Sequence, residues 1–209
     1  MEFGEWQALL FQFGTAVFAV TGVLAAARQN MDVMSFIVIG VVTAIGGGTI
    51  RDMVLNAPVF WLVDPTYLHV AAGAALATFF FEKLFRSTYL GFLYLDAIAT
   101  ALFTVLAADK TLRLGFSPSV AIVMGVITGI GGGLIRDVLT GQPTLLMRRE
   151  LYMTPILIGG ALFVALRAAG PVPAQFAAIS AVVAITLVRL AAIRFSWGFP
   201  DWLTYRPRT

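Results

Sequence analysis

Apolar residues fill seven stretches of the chain, at about 8–27, 34–56, 66–85, 90–108, 117–140, 151–169 and 174–193. Each approaches the ~20 residues that a helix needs to cross a hydrocarbon core. Between them stand short polar or turn-forming breaks: Arg28 to Asp32, Pro58 to Pro65, Arg86 to Thr88, Asp109 to Pro118, Gly141 to Glu150 and Gly170 to Pro173. The pattern predicts an all-α membrane protein with seven transmembrane helices. No break has room for a second soluble domain, so residues 1–209 are expected to form a single transmembrane domain.

Two of the stretches contain the same unusual string. Gly46, Gly47 and Gly48 lead through Thr49 and Ile50 to Arg51 and Asp52; 85 positions on, Gly131, Gly132 and Gly133 lead through Leu134 and Ile135 to Arg136 and Asp137. Residues 36–58 and 121–143 are identical at 13 of 23 positions, a density that chance likeness between apolar segments does not give. The same offset pairs Thr15 with Thr100, Phe18 with Phe103, Val20 with Val105 and Tyr67 with Tyr152. The first three spans (repeat one, about 8–85) therefore recur as the next three (repeat two, about 90–169), and a seventh helix follows at about 174–193. Three is odd, so the copies enter the membrane in opposite directions. Inverted repeats of this kind characterise transport proteins whose sites lie near the midplane.

Composition agrees with a membrane setting: the 209 residues are 59% hydrophobic and 12% charged, with mean hydropathy +0.90, against ~25% charged in soluble domains. The absence of cysteine excludes disulfide frameworks and thiolate chemistry. His69 is the sole histidine and reads as an interfacial residue, which leaves zinc-hydrolase and histidine-base chemistry little to work with. The basic residues lie in short loops and at helix ends, so the positive-inside rule accounts for a pI near 9.6 and no nucleic-acid partner is expected. With the N-terminus on side one, that side holds Lys110, Arg113 and Arg167. Side two holds Arg28, Lys83, Arg86, Arg148, Arg149, Arg189, Arg194, Arg206 and Arg208. The expectation is an inner (plasma) membrane protein with its N-terminus outside and its C-terminus cytoplasmic. The acidic start, Met1 to Trp6, favours a retained first span over a cleaved signal. Trp197, Trp202 and Tyr205 are expected to anchor the tail at the interface, while Trp61, Tyr67, Tyr94 and Tyr152 fit the aromatic belt.

The charges within the apolar runs are functional-site candidates, because each costs roughly 2.5–3.5 kcal/mol in the membrane unless it finds a partner or water. The glycine triplets permit either bending and local unwinding, with carbonyls exposed to a polar path, or close helix packing through small residues. Adjacent residues on a helix point about 100° apart. Pairing is therefore expected across the pseudo-twofold axis, Arg51 with Asp137 and Arg136 with Asp52, either as structural bridges or with one arginine acting as a movable gate. Asp96 reads as a solvated acid at the start of its helix or as a cation-attracting group at the cytoplasmic mouth. Thr43 and Thr128 either face an ion or bond back to their own helices.

The doubled GIGGGxIRD motif and the run Pro58 to Pro65 resemble a bacterial family long catalogued as uncharacterised membrane proteins and now called the glycine transporter domain family. It includes the prokaryotic relatives of the trimeric intracellular cation (TRIC) channels. The resemblance covers the first six spans. It implies seven spans, a homotrimer and a separate ion path within each protomer beside bent second and fifth spans, with the two glycine triplets as the bending points. Members are discussed both as potassium-permeable cation channels and as small amino-acid transporters. The lysine-containing, lipid-binding pattern of the animal channels is not evident in the fifth span.

Together these features point to a passive monovalent cation channel, with potassium as the permeant ion and modest selectivity, since no potassium-filter signature is present. The alternative is a secondary transporter for glycine or a similar amino acid. Potassium or sodium ions and membrane lipids are the expected ligands, with no cofactor, metal site or catalytic residue. Enzyme chemistry lacks a nucleophile with a base, and the acids sit beside arginines as counter-ions.

Overall fold

The computed structural model describes residues 3–27, 29, 31–85, 89–148, 150–170 and 172–200. Eight α-helices follow one another among these residues: α1 (Phe3–Ala26), α2 (Val33–Val54), the one-turn α3 (Phe60–Val63), α4 (Thr66–Phe85), α5 (Tyr89–Arg113), α6 (Pro118–Leu139), α7 (Met153–Ala168) and α8 (Ala174–Phe195). A 3₁₀ turn, Leu145–Met147, lies between α6 and α7. Helix starts follow local chemistry. The Asp32 carboxylate caps α2 by accepting from the Ser35 amide at 2.8 Å, which holds it below the usual carboxylate range. Pro118 opens α6, a position whose amide needs no helical acceptor.

The ends of α2 and α6 repeat each other bond for bond. Asn56 and Gly141, 85 residues apart, both adopt left-handed backbone, φ +50° and +63°. The amides of Asn56 and Ala57 close on the Met53 and Asp52 carbonyls, as those of Gly141 and Gln142 close on Val138 and Asp137. This is the double closure that satisfies orphan carbonyls at a helix end. Where the sequence suggested plain breaks at Pro58 to Pro65 and Gly141 to Glu150, the chain instead forms α3 and the 3₁₀ turn in register with each other.

α1, α2 and α4 pack together; α5 packs on α6, and α8 covers α5 and α7. α2 and α6 join the two groups. The start of α1 lies beside the end of α5, where Gln7 bonds Asp109 and Arg113. The two helices therefore run in opposite directions, as an inverted repeat requires. The end of the bundle carrying Gln7 is called the first face below, and the opposite end the second. Phe18 stacks on Phe103 at 5.1 Å, and Phe11 meets the same ring edge-on at 4.9 Å, so the cores of the two groups interlock through repeat-equivalent side chains. Large apolar residues such as Met53, Phe80, Leu157 and Leu187 point outward, the arrangement a lipid solvent rewards.

The chain is an all-helical, multi-pass membrane protein. Five of its helices are long and apolar enough to cross a bilayer by length and composition. The remaining two long helices are apolar over shorter stretches, Thr66–Phe81 and Met153–Ala168. Beyond α8, Trp197 joins the chain at 151 through the Leu151 amide and stacks on Phe195. Trp202 and Tyr205, together with Arg28, Arg86, Arg149, Arg206 and Arg208, lie outside the described residues.

Candidate functional site

The glycine triplets mark the place where α2 and α6 cross backbone to backbone. A methyl added at Gly47 would collide with the Thr128 carbonyl oxygen, and one at Gly132 with that of Thr43. One at Gly131 would stand 3.2 Å from the Gly47 Cα. Thr43 facing Gly132 while Thr128 faces Gly47 makes the helices antiparallel about a pseudo-twofold near Gly46 and Gly131. Helical structure continues through both triplets, so the unwinding expected from three glycines does not occur. Their use is close approach between helices. At the outer edges of the contact, Gly46 faces the Ile135 side chain, Gly48 the Phe60 ring, and Gly133 the Tyr152 hydroxyl. Thr43 and Thr128 donate to the carbonyls of Ile39 and Met124 at 2.6 Å, within their own helices.

This crossing overturns the expected pairing of Arg51 with Asp137 and Arg136 with Asp52. Each charged pair lies five to seven residues beyond the crossing, in opposite directions. At 1.5 Å per residue that separates the proposed partners by on the order of 15–20 Å. Each arginine instead folds back on its neighbour: Arg51 Nε donates to Asp52 Oδ1 at 2.8 Å, and Arg136 Nε to Asp137 Oδ1 at 2.8 Å. The second carboxylate oxygen of each aspartate accepts a backbone amide eight residues on, from Phe60 at 3.0 Å and Leu145 at 3.1 Å. Each aspartate thereby ties a helix end to the turn that follows it.

Around this shared frame the two copies differ. On the second face, Arg136 Nη1 donates to Asp96 Oδ1 at 2.8 Å and to Thr21 Oγ1 at 3.1 Å. Arg189 from α8 lies 3.7 Å from Asp96 Oδ2 and 4.3 Å over the Tyr152 ring. Asp96 is fully buried, which corrects its reading as a solvated helix-start acid: it lies two turns into α5 and faces inward. Tyr152 is likewise buried beneath Arg189 and is not part of an aromatic belt. Two cations and two carboxylates balance there. On the first face, the repeat equivalents of Asp96 and Thr21 are Phe11 and Leu106. The Arg51 guanidinium lies 5.6 Å from the Phe11 ring and 5.9 Å from that of Phe60, and Lys110, equivalent to Ala25, shares Asp52 Oδ1 at 2.8 Å.

A cavity opens beside each arginine–aspartate pair. The first-face cavity measures about 240 Å³ and is lined by Phe11, Arg51, Phe60, Tyr67, Lys110 and Arg113 among others. The second-face cavity is about 20 Å³, beside Asp137 and Gln142, and Arg148 lines it with its guanidinium 4.6 Å from the Tyr89 ring. The sequence reading missed Lys110 as a partner of Asp52, and it counted Arg189 among the surface cations. A signal existed for Arg189: it interrupts an apolar span, the same property that singled out Arg51 and Arg136.

A profile of the family described as "Glycine transporter" matches the chain twice, over residues 8–83 and 93–168. The chain belongs to this family. The two matches are again offset by 85 residues, and the triplets and both arginine–aspartate pairs of this glycine transporter family member fall inside them. Among its relatives, the UPF0126 inner membrane protein YadS of Escherichia coli K12 is 43% identical over 191 residues, spanning 90% of this chain and 92% of its own. The solved structure of the TRIC trimeric intracellular cation channel orthologue from Rhodobacter sphaeroides is 43% identical and covers 91% of this chain and 98% of its own length, with a TM-score of 0.88. A second TRIC cation channel structure superposes with a TM-score of 0.85 at 29% identity, covering 97% of this chain and 98% of that one.

Proposed function

We propose that the protein is a monovalent cation channel passing potassium, assembled as a homotrimer of seven-span protomers, each with its own path beside α2 and α6. The observation that carries this reading is the likeness to the Rhodobacter sphaeroides TRIC orthologue over nearly the whole of both chains, at 43% identity. The geometry supports it in two ways. The cavities at the two faces lie on either side of the α2–α6 crossing, as a path between them requires. Asp52, Asp96 and Asp137 each hold a cation, which lowers the barrier that bare arginines would present to a permeant cation.

On this reading the present conformation is closed, with backbone contact at the glycine crossing and Arg148 at the second face. Arg51 and Arg136, with Asp52, Asp96 and Asp137, set the charge on either side, and conduction requires α2 and α6 to part. Moving Arg189 from the loop count to the buried network leaves eight cations on side two against three on side one. The first face therefore stays external and the C-terminus cytoplasmic.

Planar-bilayer recording of the purified protein in potassium chloride tests the proposal. A channel gives unitary currents without substrate. Saturable glycine uptake with no unitary events would overturn this reading in favour of an amino-acid carrier.

A further inference from the structure

The first-face cavity is lined by a buried cation whose terminal nitrogens find no hydrogen-bond partner among the described side chains. Arg51 is 1% exposed, and neither Nη1 nor Nη2 has a hydrogen-bond partner among the described residues. A buried guanidinium with its whole terminal edge unsatisfied is costly, and its two parallel donors match one ligand shape well: the two oxygens of a carboxylate. The second copy places a carboxylate there. Arg136, in the equivalent position, is held through Nη1 by Asp96 Oδ1 and the hydroxyl of Thr21, and its Nη2 has no hydrogen-bond partner among the described residues. Phe11 and Leu106 replace both in the first copy, and the space beside them is the 240 Å³ cavity that Arg51 lines.

Charge points the same way. Arg51 and Lys110 share the single carboxylate of Asp52, while Arg113 is matched by Asp109 at 3.3 Å. One positive charge is left over at this cavity among the described side chains; at the second face the buried Arg136–Arg189–Asp96–Asp137 cluster sums to zero, and the exposed Arg148 lines the cavity beside it. Lys110 and Arg113 line the same cavity, with Phe11, Phe60 and Tyr67 forming apolar walls that suit a short alkyl tail.

We propose that this cavity is a binding site for a small monocarboxylate, seated beside Lys110 and drawn by the positive charge of the buried Arg51 guanidinium, in the place that Asp96 occupies in the other copy. The site favours a simple carboxylate over a zwitterion, because the cations around it oppose an ammonium group. It does not depend on what passes through the protein.

The test uses the full-length protein in detergent micelles or nanodiscs. Thermal unfolding is followed while sodium acetate replaces sodium chloride at constant ionic strength, with separate titrations of glycine and inorganic phosphate. The expected result is a saturable rise in midpoint with acetate and a weaker one with glycine. Lys110→Gln, at a partly exposed position outside the helix core, should weaken the acetate response by on the order of tenfold. Phe11→Asp, which builds the missing carboxylate into the chain, should abolish it. If Phe11→Asp does not fold, Lys110→Gln alone decides. The proposal is overturned by equal curves in acetate and chloride, by an acetate response that Lys110→Gln leaves intact, or by a response to phosphate without one to acetate.

Discussion

Gly47→Ala and Gly73→Ala make the same chemical change in two transmembrane helices, and the structure gives them opposite signs. At Gly73, in α4, an added methyl meets nothing within 4 Å. Removing the backbone freedom of a helical glycine there should stabilise the protein by about 0.5–1 kcal/mol. At Gly47 the same gain is opposed by the Thr128 carbonyl, which the methyl would approach to less than 3.0 Å. Ordinary C–H···O contacts begin near ~3.3 Å, so α2 and α6 must part by roughly 1 Å at their crossing. The obstacle is main chain inside a hydrogen-bonded helix and cannot rotate aside as a side chain could. Overpacking of this kind costs ~1–3 kcal/mol, and a gap of that width forfeits about a quarter to a half of the dispersion energy of the atoms lining it. The common gain cancels, so the two variants should differ by about 1–3 kcal/mol, Gly47→Ala being the weaker, and Gly132→Ala should match Gly47→Ala because it meets Thr43 in the same way. Unfolding by increasing denaturing detergent in mixed micelles, followed by helical circular dichroism, measures the difference. If Gly47→Ala proved as stable as Gly73→Ala, the close crossing, and the explanation of the triplets built on it, would be wrong.

Asp96→Ala leaves Arg136 with Asp137 alone and takes from Arg189 its carboxylate partner, and should cost about 3–5 kcal/mol in the same assay. Arg189→Met combined with Asp96→Ala should lose less than the two single changes added together, since the pair is coupled. Gly141→Val places a β-branched residue at φ +63° and should cost at least ~1–2 kcal/mol, while Asn56→Gly at the equivalent turn should shift stability by no more than a few tenths of a kcal/mol; thermal melts of both variants compare them. Trp61→Phe removes the 2.9 Å bond to Thr49 Oγ1 and should cost ~1 kcal/mol, with a larger loss indicating that α3 undocks.

Helix positions were legible in the sequence because each span is a long, predominantly apolar run bounded by turn residues, and α2, α5 and α6 lie within a few residues of the expected limits. The short α3 and its 3₁₀ counterpart were not legible. They depend on Asp52 and Asp137 reaching eight residues forward to an amide, and no local propensity encodes that contact. The arginine pairing was misread because a repeat specifies which residues are equivalent without specifying where the symmetry axis lies. Placing the axis at Gly46 and Gly131 sends the charges to opposite ends, and only the glycine contacts locate it. Asp96 was misread for a related reason. It has no charged equivalent in the first copy, and its partners, Arg136 and Arg189, come from helices distant in sequence.

What the copies kept and what they changed divide along a physical line. The left-handed helix ends, the aspartate clasp on the next turn and the glycine crossing are backbone devices, and they are the same at both faces. The side chains facing the guanidinium differ: Phe11 against Asp96, Leu106 against Thr21, Lys110 against Ala25. The buried cluster at the second face is consequently neutral, with Arg148 stacked on Tyr89 beside it, whereas the first face carries surplus positive charge beside a cavity about twelve times larger (240 against 20 Å³). Charge left in an apolar bundle is tolerable only where water or an ion reaches it, so the first face must remain hydrated while the second need not. On the channel reading, the energetic cost of opening then falls on the second face and the crossing. Loosening the grip of Arg148 on Tyr89 should raise the open fraction, whereas changes at Lys110 should alter how ions enter an already accessible vestibule.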